Sequence, residues 1–418
     1  MTGLKLAVVA WRNLWRHKRR TLLTLSSIAF GGFLAVLFTA LQDRSFADFI
    51  DTAARLGSGH VTLQHPDYLD TPRLTRTVQG SAELRALVAQ DSDVARAVER
   101  ISGQIMLATA SDSFGAFFMA YDPELEDDST LSFGAGLTEG AMYTTPQDKG
   151  IILGKKLAHN LRLKIGKKVV YTMLDKQGEI VSGMRRLSGV ISTGAPSLDA
   201  GLCLLPINTV REALGYSSDE STAVAVFLSD ARKSAAVAQR LNNALDANLV
   251  ALAWDEIRPE LSTFIAMKVG GARFMELIIA ILVAAGIFNT LFVSVMERTR
   301  EFGIMLAIGY SPGQLFGLVM WESLWLGLVG IVASTLITIG PYVYLVNTGI
   351  DMSAIMGGAG GAATEIAGVG FDGTLRVGIF PEHLVIIVLA IVLATLTAGL
   401  YPAWRAGNVV PVESIKLG

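Results

Sequence analysis

The residues best placed to do work lie between Asn289 and Tyr310, where the chain reads Asn289-Thr-Leu-Phe-Val-Ser-Val-Met-Glu297-Arg298-Thr-Arg300-Glu301-Phe-Gly303-Ile-Met-Leu-Ala307-Ile-Gly309-Tyr310. A long apolar run ends in a collar of mixed charge, then turns into a short apolar segment bounded by glycines. Phe302, Met305, Leu306 and Ile308 are too many apolar groups for so short a segment to cover alone. An apolar patch rimmed by charge is a docking surface for a partner; the alternative is a helical hairpin lying on a bilayer. Beyond it, Glu322 interrupts a second apolar run about 8 residues from its start, roughly 12 Å along a helix at 1.5 Å per residue. An ionised carboxylate at that depth must face a helix partner or snorkel.

Other chemistries find no matching residues. No GxxxxGK[ST] pattern occurs. In the nearest imitation, Gly150-Ile-Ile-Leu-Gly154-Lys155-Lys156, the glycines are one position too close and Lys156 stands where Ser or Thr would hold magnesium. The expectation is that this chain binds no ATP through a P-loop and carries no catalytic residue, metal or cofactor of its own. Of the histidines only His60 and His65 are near one another, and they read as a surface pair flanking a turn. Glu124, Glu126, Asp127 and Asp128 read as a solvated run after Pro123, and Gly357–Ala363 as a flexible loop. No serine or cysteine nucleophile signature appears.

The elements that must position the collar follow from composition. The 418 residues are 51% hydrophobic and only 17% charged, with mean hydropathy +0.46. That is too apolar for an ordinary soluble domain, and a net charge of −2 gives no global pull towards nucleic acid. Four apolar stretches, residues 21–41, 274–296, 314–346 and 384–402, each meet the roughly 20 residues a helix needs to cross a bilayer. Lys5, Arg12, Arg16, Lys18, Arg19 and Arg20 precede the first; Arg298 and Arg300 separate the second and third; Arg405 and Lys416 follow the fourth. Residues 1–20, 297–313 and 403–418 should therefore face the cytoplasm, and 42–273 and 347–383 the outside. The first stretch is longer than a signal-peptide core and reads as an uncleaved anchor. Before it, an amphipathic elbow helix carrying Trp11 and Trp15 suits the inner surface of anionic membrane lipid.

The segment 42–273 is large enough for one or two domains. Its ends look alike. His60–Gln64 alternates as a strand, Ser81 is a plausible N-cap of a helix, and Asp93–Leu107 offers another strand. Near the far end Thr222–Leu228 is a strand, Ser229–Leu245 is helical with Ala231, Ala235, Ala238, Leu241 and Leu245 on one face, and Asn248–Trp254 is a strand. Two β-α-β units suggest a split α+β part, residues 42–103 and 212–273, around a β-rich insertion at 104–211. The single cysteine, Cys203, permits no intrachain disulfide and reads as a buried small hydrophobe. The fold class expected is an α-helical membrane protein with four transmembrane helices plus a large extracytoplasmic α+β domain with a β-rich insertion.

The collar segment resembles the coupling region of the FtsX/MacB-like permeases of ABC transporters. It meets every fixed position of their pattern N-x(7)-E-R-x-[RK]-E-x-G-[IV]-x(2)-A-x-G. The N-terminal WRNLWRHKRRTLLTL, Glu322, the tail Tyr401–Ala406 and Pro411–Glu413 fit the same family. The resemblance implies a dimeric permease, with an identical or homologous second permease subunit. It also implies a separate ABC ATPase subunit dimer, which would hold ATP and magnesium and dock at Glu297, Arg298, Arg300, Glu301, Gly303, Leu306, Ala307 and Gly309. Within the family, Ala120–Glu126, Gly150–Lys168 and Asn347–Asp351 look similar to the lipoprotein-releasing, Lol-type (LolC/LolE-like) permeases. That likeness implies extraction of a lipoprotein or another lipidated substrate from the outer leaflet of the inner membrane. It places the lipid site between the first two spans, where Phe33, Leu37, Phe38, Ile278, Ile281 and Leu282 would give apolar walls. Asp175–Gly183 is short and lacks the proline of the hook that recruits a periplasmic carrier. A carrier dock on this chain is therefore doubtful, or belongs to a partner subunit. The alternatives are a MacB-like mechanical exporter of periplasmic substrates and an FtsX-like signalling regulator of an envelope hydrolase, although FtsX-type regulators have a much smaller external domain.

Overall fold

A computed structural model describes residues 3–351, 365–366, 369–370 and 374–409. Gly357–Ala363, Pro411–Glu413 and Lys416 lie outside the described residues. The helices used below are α1 (Gly3–Leu14), α2 (Lys18–Ala53), α3 (Ser81–Val88), α4 (Ser234–Asn242), α5 (Pro259–Glu297), α6 (Thr299–Ala307), α7 (Pro312–Asn347) and α8 (Pro381–Gly407). The chain divides into two compact units. One holds the segments up to Ser45, Met267–Asp351 and from Thr374 onward; the other is built on Phe46–Ala266.

In the first unit, α2, α5, α7 and α8 are long and apolar enough to cross a membrane. Their buried faces are rich in small residues, which let helices approach closely where no hydrophobic gradient drives them together. A Cβ added at Gly330 would lie 2.4 Å from Ile28, and one at Gly399 2.2 Å from the Ser323 hydroxyl. Two apolar clusters fill the bundle, one around Phe302, Leu315 and Ala403, the other around Ile28, Ile287 and Leu326. Helix α2 outruns its apolar stretch because Phe49, Ile50 and Ala53 stay on one face and are buried.

The second unit is organised by a ten-stranded sheet. Its strands are β1 (Val61–Gln64), β2 (Val94–Ala108), β3 (Ser113–Tyr121), β4 (Leu137–Gly140), β5 (Gly150–Gly154), β6 (Lys168–Leu174), β7 (Ile180–Ile191), β8 (Leu202–Pro206), β9 (Ala223–Leu228) and β10 (Val250–Ala253). At one end the order is β10-β1-β9-β2, all antiparallel, with α3 and α4 as the crossovers of two β-α-β units. From β2 the pairing continues through β3, β8, β5, β7 and β6, and β6 returns to β2. These six strands form a closed ring, which removes the unpaired edges an open sheet would expose. Inside it pack Ile105, Phe118, Leu153, Tyr171 and Cys203. Burial pushes the Cys203 thiol pKa upward. The tip between β6 and β7 is a tight turn in which Asp175 Oδ1 accepts from the Gln177 and Glu179 amides at 2.9 and 2.8 Å.

Four expectations need correction. The boundary at 103/104 falls inside β2, whose first half pairs with β9 and whose second half pairs with β3 and β6; the two parts share one unbroken strand. Ser81 is the first residue of α3, not its cap. Its hydroxyl donates to Glu99 and Asp219, while Asp219 Oδ1 accepts the Ala82 amide at 2.7 Å, so the cap comes from a distant loop. Ala235 is exposed: after a 3-10 turn at Ala231–Lys233, the buried face runs through Ser234, Val237, Ala238 and Leu241. His60 is buried, not a surface residue. Its Nδ1 accepts the Leu228 amide at 3.0 Å, which leaves the proton on Nε2 to donate to Asp51 at 2.9 Å.

Gly59 holds this corner. Its φ of 71° and ψ of −178° belong to a region that side chains avoid, and a Cβ would lie 2.8 Å from the Val226 nitrogen. Gly59→Ala should destabilise this unit by at least about 1–3 kcal/mol, the cost of the backbone strain alone. Gly115→Ala, where a Cβ meets nothing within 4 Å, should leave the melting temperature of purified protein unchanged. Equal melting of both variants would refute the assignment.

Candidate coupling site

Helix α5 ends at Glu297, and Arg298 leaves helical geometry with φ −102° and ψ 11° before α6 begins. At the far end of α6, Gly309 takes φ +103°. The Gly309 amide donates to the Leu306 carbonyl at 3.1 Å and the Tyr310 amide to that of Met305 at 3.0 Å, a Schellman stop that glycine makes without strain. Ser311 then opens α7 in a capping box with Gln314, and Pro312 occupies the first turn. Four consecutive residues, Gly309 to Pro312, thus stop one helix and start the next, and α6 is held as a short independent element.

An ion-pair network ties α6 down. Arg298 Nη1 donates to Glu322 Oε1 at 3.0 Å and Oε2 at 3.3 Å, and Arg298 Nε donates to Glu301 at 3.1 Å. Arg298 and Glu322 are buried, 7% and 6% exposed. The Asn13 amide of α1 donates to the same Glu322 oxygen at 3.0 Å. Arg16 pairs with Glu301 at 3.0 Å; Arg20 pairs with Glu297 and donates to the Ser294 hydroxyl, both at 2.6 Å. The Arg298 guanidinium also lies 5.1 Å from the centroid of the Phe302 ring. Desolvation opposes the Arg298 charge, but Glu322 and Glu301 outweigh it and raise its pKa. Trp325 Nε1 donates to the Ala7 carbonyl at 3.1 Å, and Trp11 packs edge-on against Trp325.

The expected coupling residues therefore separate into two faces. Glu297, Arg298 and Glu301 are engaged within the chain, Phe302 and Gly303 are buried, and Met305 and Leu306 are half-buried against the core. Arg300, Ile304, Ala307 and Ile308 are exposed, Ile308 at 71%. Their spacing of four, three and one places them in one stripe along the helix. The free apolar edge is thus smaller than four large side chains, because Phe302 is fully covered. Sequence reasoning missed Asn13, Arg16 and Arg20 as partners of the collar. The available signal was a lone amide, Asn13, on the buried face of α1 beside Ala10 and Leu14.

The proposed lipid-site residues lie on α2 and α5. Phe33, Leu37, Phe38 and Ile278 are half-buried, whereas Ile281 and Leu282 are 58% and 67% exposed. The two helices meet where a Cβ on Gly31 would lie 2.3 Å from Val283, and Thr39 donates to Glu276 at 2.8 Å. Asp43 on α2 pairs with His383 of α8 at 2.8 Å and accepts the Phe380 amide at 3.1 Å.

Arg298→Met should cost about 3–5 kcal/mol, because it strands a buried carboxylate, while Arg298→Met/Glu322→Met should recover most of that loss. Thermal melting in mild detergent reads both. A double variant no more stable than the single one would mean that the pair does not act as a unit.

Comparison with known proteins places these features in context. The family model described as "FtsX-like permease C-terminal" matches residues 273–411, and "MacB-like periplasmic core domain" matches residues 21–244. A "Lipoprotein-releasing system transmembrane protein LolC" from Xylella fastidiosa is 25% identical over 65% of this chain and 65% of its own length. The chain thus spans less than two thirds of that relative. "Pyoverdine export ATP-binding/permease protein PvdT" from Pseudomonas fluorescens is 23% identical over 97% of this chain and 58% of its own. "ABC transporter permease YtrF" from Bacillus subtilis is 37% identical over 29% of each chain. With the periplasmic-core match covering more than half of its residues and the permease match covering the collar and the last three long helices, the chain belongs to the FtsX/MacB-like family of ABC transporter permeases.

Proposed function

We propose that this permease extracts lipoproteins, or another lipidated substrate, from the outer leaflet of the bacterial inner membrane, driven by a separate ATPase dimer. Both termini and α6 lie in the cytoplasm, and a second permease subunit, identical or homologous, completes the transporter. The observation that carries the ATPase half of this reading is the α6 stripe. Arg300, Ile304, Ala307 and Ile308 face outward from a helix whose opposite side is locked by buried charge. A partner pushing on that stripe would move α7 through Arg298–Glu322, α1 through Asn13 and the turn after α1 through Arg16. The lipoprotein half is supported by the LolC relative and by the apolar outer halves of α2 and α5. Burying an acyl chain there would contribute about 0.8 kcal/mol per CH₂.

A MacB-like mechanical exporter is the second reading, favoured by the periplasmic-core match and by the pyoverdine-export relative spanning nearly the whole chain. A photo-crosslinker at Phe33, Phe38, Ile278 or Ile281 separates the two. It should trap lipoprotein before ATP is added and lose it afterwards; crosslinks only to phospholipid or to the neighbouring subunit would favour the exporter. For the coupling site, Ile308→Asp should abolish ATPase copurification while membrane insertion persists, because an unpaired carboxylate in an apolar groove costs more than the roughly 2–7 kcal/mol of an unpaired neutral polar group. Leu306→Asp is the poorer test, since Leu306 packs against this chain's own core. Full copurification of Ile308→Asp would remove α6 as the dock.

A further inference from the structure

The external unit contains a cavity of about 580 Å³ that neither the coupling site nor the lipid site uses. That volume lies within the range of small-molecule sites, about 300–1,000 Å³. Its walls are mainly apolar, with Leu56, Met119, Leu198, Leu202 and Ile257 inside and Phe117, half exposed, among the lining residues. Most of its polar groups are already satisfied. The Arg100 charge is matched, with Nε and Nη2 on the Glu126 carboxylate at 2.8 and 2.9 Å, Nη2 also on the Thr130 carbonyl, and Nη1 on that of Gly57 at 2.6 Å. The Tyr68 hydroxyl donates to the Ser102 carbonyl at 2.7 Å, and Thr222 to that of Arg100 at 3.2 Å.

One charge remains. The Arg258 guanidinium lines the same cavity, half-buried, and among the described residues no acid pairs with it. Desolvation alone acts on it and lowers its pKa. An uncompensated guanidinium beside an apolar wall favours an anion strongly, because a planar fork of donors matches a carboxylate and the local dielectric is low. An open guanidinium together with apolar area describes an amphiphile with an anionic head.

We propose that this cavity binds a small amphiphilic anion, an unbranched apolar tail ending in a carboxylate, with the head on Arg258 and the tail along Met119, Leu198 and Leu202. The inference goes beyond the transport reading and does not depend on it. Of its lining residues, Leu56–Ser58 belong to the helical turn Ala54–Ser58 that follows α2, and Ile257–Arg258 directly precede α5.

The test uses the full chain in lipid nanodiscs and decanoic acid bearing a terminal diazirine, with its methyl ester as the neutral match. After photolysis, mass spectrometry should find label from the acid on the peptides carrying Phe117–Met119 and Leu198–Leu202, displaced by unlabelled decanoate. Arg258→Gln should lower that labelling at least about tenfold, as expected for a lost charge-assisted hydrogen bond, and Arg258→Lys should restore part of it. Leu198→Trp, which fills the cavity and keeps the charge, should also abolish it; this arm decides the matter if Arg258→Gln loses its resistance to trypsin. Equal labelling by acid and ester, or labelling that persists in Leu198→Trp, overturns the proposal. Failure here leaves the crosslinks on α2 and α5 untouched.

Discussion

A buried ion pair is expensive to assemble and more expensive to break from one side. Arg298 and Glu322 form such a pair where α6 meets α7, and Asn13 adds a third element, α1, to the same carboxylate. That constraint sets the orientation of α6. With Arg298 and Phe302 turned inward, Arg300, Ile304 and Ile308 have to face out. The surface pairs Arg16–Glu301 and Arg20–Glu297 are more exposed and contribute less individually. Their value is geometric, since they tie the turn between α1 and α2 to α6 and the start of α2 to the end of α5. A docking helix with one free face and one locked face can pass on a push, whereas a helix free on both sides would only rotate.

The external unit meets a different constraint. With one cysteine in the chain it has no disulfide, so its order has to come from pairing and packing. The closed six-strand ring answers this by leaving its members no free edges, and β2 belongs both to that ring and to the four-stranded α+β sheet. A single strand common to both makes the two parts one cooperative structure. The buried Arg100–Glu126 pair, whose charge is fully matched, lies at that junction.

Much of this was legible in the sequence because it was local. The four apolar runs, the charged collar, the Gly309-to-Pro312 helix break and the two β-α-β units are all written in neighbouring residues. What escaped depends on contacts between distant residues. Asn13 and Glu322 are 309 positions apart, and Ser81 is tied to Asp219 across 138. No periodicity announces that β6 will return to β2, that His60 will be enclosed by Asp51 and Leu228, or that Phe302 will be the covered member of an apolar quartet. Ala235 failed for a smaller reason: after the 3-10 turn Ser234 takes the buried position in the first turn of α4, while Ala238 and Leu241 stay on the expected face. Arg258 gave no signal, because an arginine between Ile257 and Pro259 looks like any residue at a helix start.

The central claim is that force from ATP hydrolysis reaches the membrane helices through the Arg298–Glu322 contact. The direct measurement is the amount of substrate released per ATP hydrolysed by the reconstituted transporter carrying Glu322→Gln. Glu301 still neutralises Arg298 in that variant, so α6 should remain folded and the ATPase bound. The account predicts that hydrolysis continues while release falls away. A wild-type ratio of release to hydrolysis would contradict it and would move the coupling path elsewhere in the bundle.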